Sequence, residues 1–121
     1  MPKTVFIVED NALHMKMVND LLQASGHKTL QSIDGSDFMA LVKEHRPDLI
    51  VMDIQLPGIS GLELTQMLKA DGELKHIPVI AVTALAMKGD EQKCLEAGCD
   101  DYVAKPISVT GFLTTVSKHL I

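Results

Sequence analysis

The sequence predicts a doubly wound α/β domain, in which a parallel sheet of five strands carries helices on both faces. Short apolar runs alternate with longer segments of helical periodicity along the 121 residues. The runs at 49–52 and 77–82 are almost continuously apolar, which is typical of parallel strands buried on both faces. Right-handed crossovers, with two helices on one face and three on the other, then predict the strand order 2-1-3-4-5. We expect a single domain over 1–121.

The five predicted strands differ in polarity. The second is short and polar, so we expect it at an edge of the sheet, whereas the third and fourth are apolar enough for its centre. The predicted strands are 5–8, 28–33, 48–53, 77–84 and 102–106.

Five helices are predicted from apolar periodicity and from their end signals. Gly26 and Gly98 mark the ends of the first and fourth helices, Pro47 closes the second, and Ser108 caps the last. The first four helices are predicted at 12–26, 36–45, 61–71 and 86–97. The residues expected to face the sheet in the first, second and last helices are Leu13, Met17, Val18, Leu21, Leu22, Phe38, Leu41, Val42, Val109, Phe112, Leu113, Val116 and Leu120.

Composition excludes several classes of function. A net charge of −5 argues against nucleic acid or an anionic membrane as the main partner, because both require a basic surface. Cys94 and Cys99 lack the spacing of a disulfide framework or a zinc site. The five histidines have no metal-ligand spacing and are interpreted as surface or helix-face residues. No segment resembles a signal peptide or a membrane helix, so we expect a cytoplasmic protein that does not insert into membranes.

Polar residues follow four of the predicted strands. Glu9 and Asp10 follow the first, Asp53 ends the third, Thr83 ends the fourth and Lys105 ends the fifth. Parallel strands end at one edge of the sheet, so these side chains should surround one pocket. Capping is the alternative for each residue taken alone, with Asp10 or Asn11 capping the first helix and Thr83 the fourth. Capping does not account for three acids that face a lysine.

The acidic cluster favours a divalent cation. Neighbouring carboxylates repel one another, and oxygen ligands without His or Cys favour Mg²⁺. Mg²⁺ and a lysine together can hold a transferring phosphoryl group. A carboxylate can itself accept that group as a nucleophile, giving an acyl phosphate. Asp53, on the predicted central strand beside the point where the strand order reverses, is the best candidate for the acceptor.

The whole pattern resembles the receiver domain of two-component response regulators. The resemblance rests on VFIVEDN, LIVMDIQLPGISGLEL, VIAVTALA and GCDDYVAKPI, which occur in the family's order and spacing, and it implies the CheY-like form of the predicted fold. It implies that Asp53 is phosphorylated and that Asp10 and Asp53 ligate Mg²⁺ directly. Glu9 would act on the metal through water and Gln55 through its backbone carbonyl.

The resemblance also implies roles at the ends of the fourth and fifth strands. Thr83 would donate a hydrogen bond to the phosphoryl group, and Lys105 would pair with it. Pro106 would follow a cis peptide bond that directs the lysine. Tyr102 would be the switch aromatic that turns inward when Thr83 moves, and the alternative is a half-buried strand residue with a solvated hydroxyl group. Such a domain is a phospho-acceptor for signalling, not an enzyme, apart from its own phosphotransfer and autodephosphorylation.

Within the family, the chain is most similar to the DivK cell-division regulators of alphaproteobacteria. FIVEDNALHMKM, DLIVMDIQLPGISGLE, HIPVIAVTALAMKGDE and KPISVTGFL carry this likeness. It implies sensor histidine kinases and kinase-like proteins as partners, control of cell cycle or polarity, and recruitment to a cell pole. We expect no output domain after the last helix, and therefore signalling by protein–protein binding, from a monomer or a weak dimer linked to phosphorylation. The alternatives are relay to a histidine phosphotransfer protein and a chemotaxis-type effector.

Three other classes fit the residues less well. A flavodoxin-type FMN carrier shares the strand order, but Glu9 and Asp10 would repel the phosphate of FMN. A dinucleotide-binding domain requires glycines after the first strand, and EDNALH has none. A haloacid-dehalogenase-type phosphatase requires a second acid two residues after the nucleophile, where this chain has Gln55.

Overall fold

The computed structural model describes residues 3–56, 58–83, 88–105 and 107–120, with side chains omitted at 88–91. Strands and helices alternate throughout the described chain, as predicted. The strands are β1 (Thr4–Val8), β2 (Lys28–Ser32), β3 (Leu49–Asp53), β4 (Val79–Thr83) and β5 (Asp101–Ala104). The helices are α1 (Ala12–Ala24), α2 (Phe38–His45), α3 (Gly61–Lys69), α4 (Lys88–Ala97) and α5 (Val109–His119).

The five strands form one parallel sheet in the order β2-β1-β3-β4-β5, which confirms the predicted topology. Every residue of β3 and β4 is buried, and β2 lies at an edge with part of each face exposed, as its polarity predicts. None of the described helices has both the length and the apolar character required to cross a membrane.

Two apolar layers cover the faces of the sheet. Alternate strand residues point to opposite faces, so Phe6 and Ile50 join one layer and Val5 and Val51 join the other. Helices α2, α3 and α4 contribute to the first layer, and α1 and α5 contribute to the second. Three helices therefore cover one face of the sheet and two cover the other, as predicted.

The predicted apolar stripes are wrong at two helix N-termini. Leu13 is 79% exposed and Val109 is 49% exposed, whereas Met15 is only 6% exposed and faces the sheet. Met15, Val18 and Leu22 follow the spacing of one helical face, and Leu13 lies off that face.

Some predicted boundaries also shift. Helix α2 starts at Phe38 and not at residue 36, and it ends at His45 as predicted. Arg46 then adopts a left-handed backbone conformation with φ 47°, one residue before Pro47. Strand β5 covers Asp101–Ala104, so Lys105 follows the strand and does not belong to it. Ser108 caps α5 as predicted, by accepting a hydrogen bond from the Gly111 N–H group. The predicted cis bond before Pro106 lies outside the described residues.

Candidate functional site

The carboxyl edge of the sheet brings the predicted acidic residues together. Glu9 follows β1, and Asp53 is the last residue of β3, which pairs with β1. One carboxylate oxygen from each of Glu9, Asp10 and Asp53 lies within 4.8 Å of the others. Glu9 and Asp53 are buried, whereas Asp10 is exposed. The cluster is therefore open to solvent on the side of Asp10.

The acid that could cap α1, Asp10, is not its capping residue. Asn11 caps α1, because its side-chain oxygen accepts hydrogen bonds from the backbone N–H groups of Leu13 and His14. Asp10 is thus available to a ligand. Residues 84–87, between Thr83 and the first described residue of α4, lie outside the described residues, so capping of α4 by Thr83 stays an alternative.

Asp53 lies in a buried and electrostatically unfavourable environment. Its side chain is 3% exposed, and burial, together with a hydrogen bond to Glu9, raises its pKa from 3.8 to about 6. The Gln55 N–H group, which donates to Asp53 Oδ1 at 3.0 Å, lowers the pKa, as does the charge of Lys105. Repulsion by the charge of Glu9 adds to the increase. A bound cation would relieve this cost.

Lys105 provides the positive charge of the site. Its Nζ atom lies 3.1 Å from Glu9 Oε1 and 3.5 Å from Asp53 Oδ2, and its side chain is 12% exposed. The Lys105 N–H group donates to the Thr83 carbonyl at 2.8 Å, which ties the segment after β5 to the end of β4. The structure thus brings Lys105 to the acids, as predicted.

Gly61 allows the chain to turn back against Asp53. A Cβ atom at this position would collide with the Asp53 carbonyl oxygen and would lie 2.8 Å from Ile54 Cα. The Gly61 N–H group donates to the Ile54 carbonyl at 3.1 Å, and the side chain of Ser60 caps α3. The loop after β3 is therefore held closely against the backbone of the acceptor residue.

Thr83 and Tyr102 occupy neighbouring strands near the site. Thr83 is fully buried at the end of β4, and Tyr102 is partly buried on β5, against the apolar layer that contains Ala81. Tyr102 pairs with Ala81 and Ala104 pairs with Thr83, so the tyrosine lies two residues before the neighbour of Thr83 in the sheet. Their switching role stays a prediction.

The sequence-based interpretation missed His14. The sequence predicts a surface or helix-face residue, and the side chain is indeed 37% exposed, but its Nδ1 atom lies 3.8 Å from Glu9 Oε1. The available signal was its position in the first turn of α1, directly beyond the acidic pair.

The donor atoms fit Mg²⁺. Carboxylate oxygens alone make up the cluster of Glu9, Asp10 and Asp53, and Mg²⁺ prefers oxygen ligands together with water. The exposed side of the cluster leaves room for the water molecules that Mg²⁺ retains. The residues present therefore suit this cation.

Solved structures of similar fold come from signalling proteins. A response regulator from Chloroflexus aurantiacus J-10-fl has a TM-score of 0.95 and 27% identity, with 99% of this chain and 98% of that chain covered. The receiver domain of sensor histidine kinase PA1611 from Pseudomonas aeruginosa PAO1 has a TM-score of 0.90 and 29% identity, with the same coverage. That receiver domain holds a magnesium ion coordinated in its active-site cleft.

Curated relatives cover almost the whole chain. The polar-differentiation response regulator DivK of Brucella anthropi is 58% identical over 120 residues, which are 99% of this chain and 98% of that protein. The protein of the same name from Brucella ovis is 56% identical with the same coverage. The family model of the response regulator receiver domain matches residues 5–117. The chain therefore belongs to the response regulator receiver-domain family, and within it is a DivK-like regulator.

Proposed function

We propose that Asp53 accepts a phosphoryl group from a histidine kinase in the presence of Mg²⁺, and that the phosphorylated domain signals by binding other proteins. The observation that carries this proposal is the buried Asp53 carboxylate, which lies between two further acids and the ammonium group of Lys105. Membership of the receiver family, which occurs in histidine kinases as well as in response regulators, supports the choice of donor.

In the proposed reaction, an Asp53 carboxylate oxygen attacks the phosphorus atom of a phosphohistidine. The new O–P bond gives an acyl phosphate, and the histidine nitrogen leaves as the N–P bond breaks. Asp10 and Asp53 would hold Mg²⁺, with Glu9 acting through water and Gln55 through its carbonyl oxygen. The cation would supply positive charge for the transferring group. Lys105 would contact and orient the same group, because its Nζ atom already lies 3.5 Å from Asp53 Oδ2.

The output of the proposed switch depends on contacts that exist only after phosphorylation. The acyl phosphate carries about 1.5 to 2 negative charges in place of the single charge of the Asp53 carboxylate, and it offers three acceptor oxygens. Thr83 and Lys105 lie at the ends of neighbouring segments and would donate to these oxygens. Tyr102 would then turn inward, changing the surface formed by α4, β5 and α5. Contacts that exist in only one of two conformations shift the equilibrium between those conformations, and here they would favour the phosphorylated form of this surface.

The proposed partners are sensor histidine kinases and kinase-like proteins, with control of cell polarity or the cell cycle as the outcome. The Brucella relatives are named for polar differentiation, which supports this assignment and a cytoplasmic location with recruitment to a pole. We also propose that the domain catalyses its own dephosphorylation, with Gln55 beside the site governing access of water.

A phosphorylation assay tests the acceptor. A phosphorylated histidine kinase and acetyl phosphate, each with Mg²⁺, should both label the wild-type protein, and Asp53→Asn should abolish the label. Asp20→Asn removes an exposed carboxylate of α1 and serves as the control with acetyl phosphate. Labelling of Asp53→Asn at the wild-type level would refute the assignment.

A thermal unfolding assay tests the metal site separately. Saturating Mg²⁺ should raise the free energy of unfolding, by about 2.7 kcal/mol at a concentration of 100 Kd. Asp10→Asn should lose most of this increase, because Asp10 is the exposed acid of the cluster. An unchanged Mg²⁺ response in Asp10→Asn would exclude Asp10 as a ligand.

A binding assay tests the output. Thr83→Ala should still accept the phosphoryl group, whereas its affinity for the kinase partner should no longer increase on treatment with beryllium fluoride. Thr83→Ser keeps the hydroxyl group and should retain the response. Pull-downs from cell extract with and without beryllium fluoride would identify the kinases, and equal affinities for wild-type protein and Thr83→Ala would contradict the role of the threonine.

A further inference from the structure

The two oxygens of the Glu9 carboxylate have different partners. Oε2 accepts a hydrogen bond from the Asn11 N–H group at 3.1 Å. Oε1 lies 3.1 Å from Lys105 Nζ and 3.8 Å from His14 Nδ1. The side chain of Glu9 is only 4% exposed, so apart from the water proposed to link it to Mg²⁺ its oxygens have few donors other than those of the protein.

His14 has an unused hydrogen-bonding atom that faces this carboxylate. Its Nδ1 atom is buried and has no hydrogen-bond partner among the described residues. The distance of 3.8 Å to Glu9 Oε1 exceeds that of a hydrogen bond. A buried polar atom without a partner carries a cost, so a movement that closes this gap would be favourable for the imidazole.

Phosphorylation of Asp53 would change the hydrogen-bonding partners of Lys105. Its ammonium group is shared by Glu9 and Asp53 before the reaction. A phosphoryl group on Asp53 carries more charge than a carboxylate and forms strong charge-assisted hydrogen bonds. As Nζ moves toward the phosphoryl oxygens, its bond to Glu9 Oε1 lengthens. This oxygen then requires another donor, and His14 Nδ1 is already beside it.

We propose that His14 is a positioning residue that donates a hydrogen bond to Glu9 Oε1 when Lys105 turns toward the phosphoryl group on Asp53. The neutral imidazole with its proton on Nδ1 is sufficient for this role. In the unphosphorylated protein, Lys105 Nζ already contacts Glu9 Oε1. The hydrogen bond from His14 to Glu9 Oε1 therefore stabilises the phosphorylated protein more than the unphosphorylated one. This inference rests on the proposed function.

Nitrogen-15 NMR of the histidine side chains tests the contact directly. In wild-type protein with Mg²⁺, addition of beryllium fluoride should shift the Nδ1 signal of His14 to that of a hydrogen-bonded donor. Exchange of this proton with solvent should slow at the same time. His27 is an internal control, since its Nδ1 atom is also buried without a partner among the described residues, but it precedes β2 at the other end of the sheet.

Two substitutions test the energetic consequence. His14→Phe removes the donor, and we expect it to weaken beryllium fluoride binding by about fivefold. His14→Asn keeps a donor and should weaken binding by about twofold or less. His27→Phe is the matched control and should leave binding unchanged. Melting temperatures without beryllium fluoride identify any general loss of stability.

The possible outcomes separate this inference from the proposed function. If beryllium fluoride shifts no signal of Asp53, Thr83 or Lys105, the phosphoryl-acceptor site is wrong and the inference fails with it. If those signals shift while the His14 signal stays unchanged, the acceptor site stands and the role of His14 is refuted. Equal weakening by His14→Phe and His27→Phe would likewise overturn the inference.

Discussion

Lys105 and Glu9 form a buried ion pair, with Nζ 3.1 Å from Oε1, and this contact is shorter than that of Lys105 with Asp53 at 3.5 Å. The lysine is thus held by Glu9 before any phosphoryl group arrives. Glu9 therefore has a second task besides its proposed action on the metal, which is to keep the ammonium group directed into the site.

The first prediction concerns Lys105→Gln. Two buried carboxylates lose their cation, so the free energy of unfolding measured by urea in EDTA should fall by about 1–3 kcal/mol. Lys118→Gln is the control, because this lysine is 69% exposed and pairs with Asp101 at the surface. The loss should be smaller with Mg²⁺, which would supply positive charge to the same acids. Equal effects of the two substitutions would contradict the buried pair.

The second prediction concerns the pH dependence of stability. The pKa of Asp53 is raised to about 6, so between about pH 4 and pH 6 the folded protein holds a proton that the unfolded chain releases. In EDTA, this group lowers the free energy of unfolding as pH rises through that window. Asp53→Asn should therefore be more stable than wild type by about 2–3 kcal/mol at pH 7 and nearly equal to it below pH 4.

Urea unfolding of both proteins from pH 4 to pH 8 measures this difference. Mg²⁺ should reduce the advantage of Asp53→Asn at pH 7, because only the wild-type carboxylate would ligate the cation with full charge. A difference that does not vary with pH would contradict the raised pKa.

The third prediction concerns Gly61→Ala. The added methyl group would meet the backbone of Asp53 and Ile54, which cannot move like a flexible side chain, so we expect a loss of about 1–3 kcal/mol in stability. Displacement of Asp53 should also slow labelling by acetyl phosphate. Gly72→Ala is the matched control, since a Cβ atom at Gly72 meets nothing within 4 Å. Wild-type stability of Gly61→Ala would show that the loop after β3 is not held closely.

The fourth prediction concerns the two cysteines. Burial raises the pKa of Cys99 to about 12, and Cys94 and Cys99 are 2% and 5% exposed. The thiolate is the reactive form, so iodoacetamide at pH 8 should modify the native protein slowly and the urea-unfolded protein rapidly. Mass spectrometry of each peptide measures both rates. Rapid modification of native Cys99 would contradict its position in the apolar layer.

The architecture was predictable from the sequence because it depends on periodicity. Continuous apolar runs identified β3 and β4 as central strands, and the polar second strand was correctly placed at an edge. The predicted burial of Leu13 and Val109 was wrong, and Leu13 lies off the helical face that Met15, Val18 and Leu22 form. The end of α2 at His45 was predicted correctly, whereas the helix starts at Phe38 and not at residue 36.

The sequence was sufficient to predict which residues form the site, but not which of them contact one another. Parallel strands end at one edge, so the sequence alone determined that Glu9, Asp10, Asp53, Thr83 and Lys105 converge. Only the tertiary structure decided that Lys105 lies nearer Glu9 than Asp53, that the pKa of Asp53 is raised to about 6, and that His14 faces the same carboxylate. These properties depend on differences of less than an ångström and on exclusion of water, which arise from packing between segments far apart in the chain.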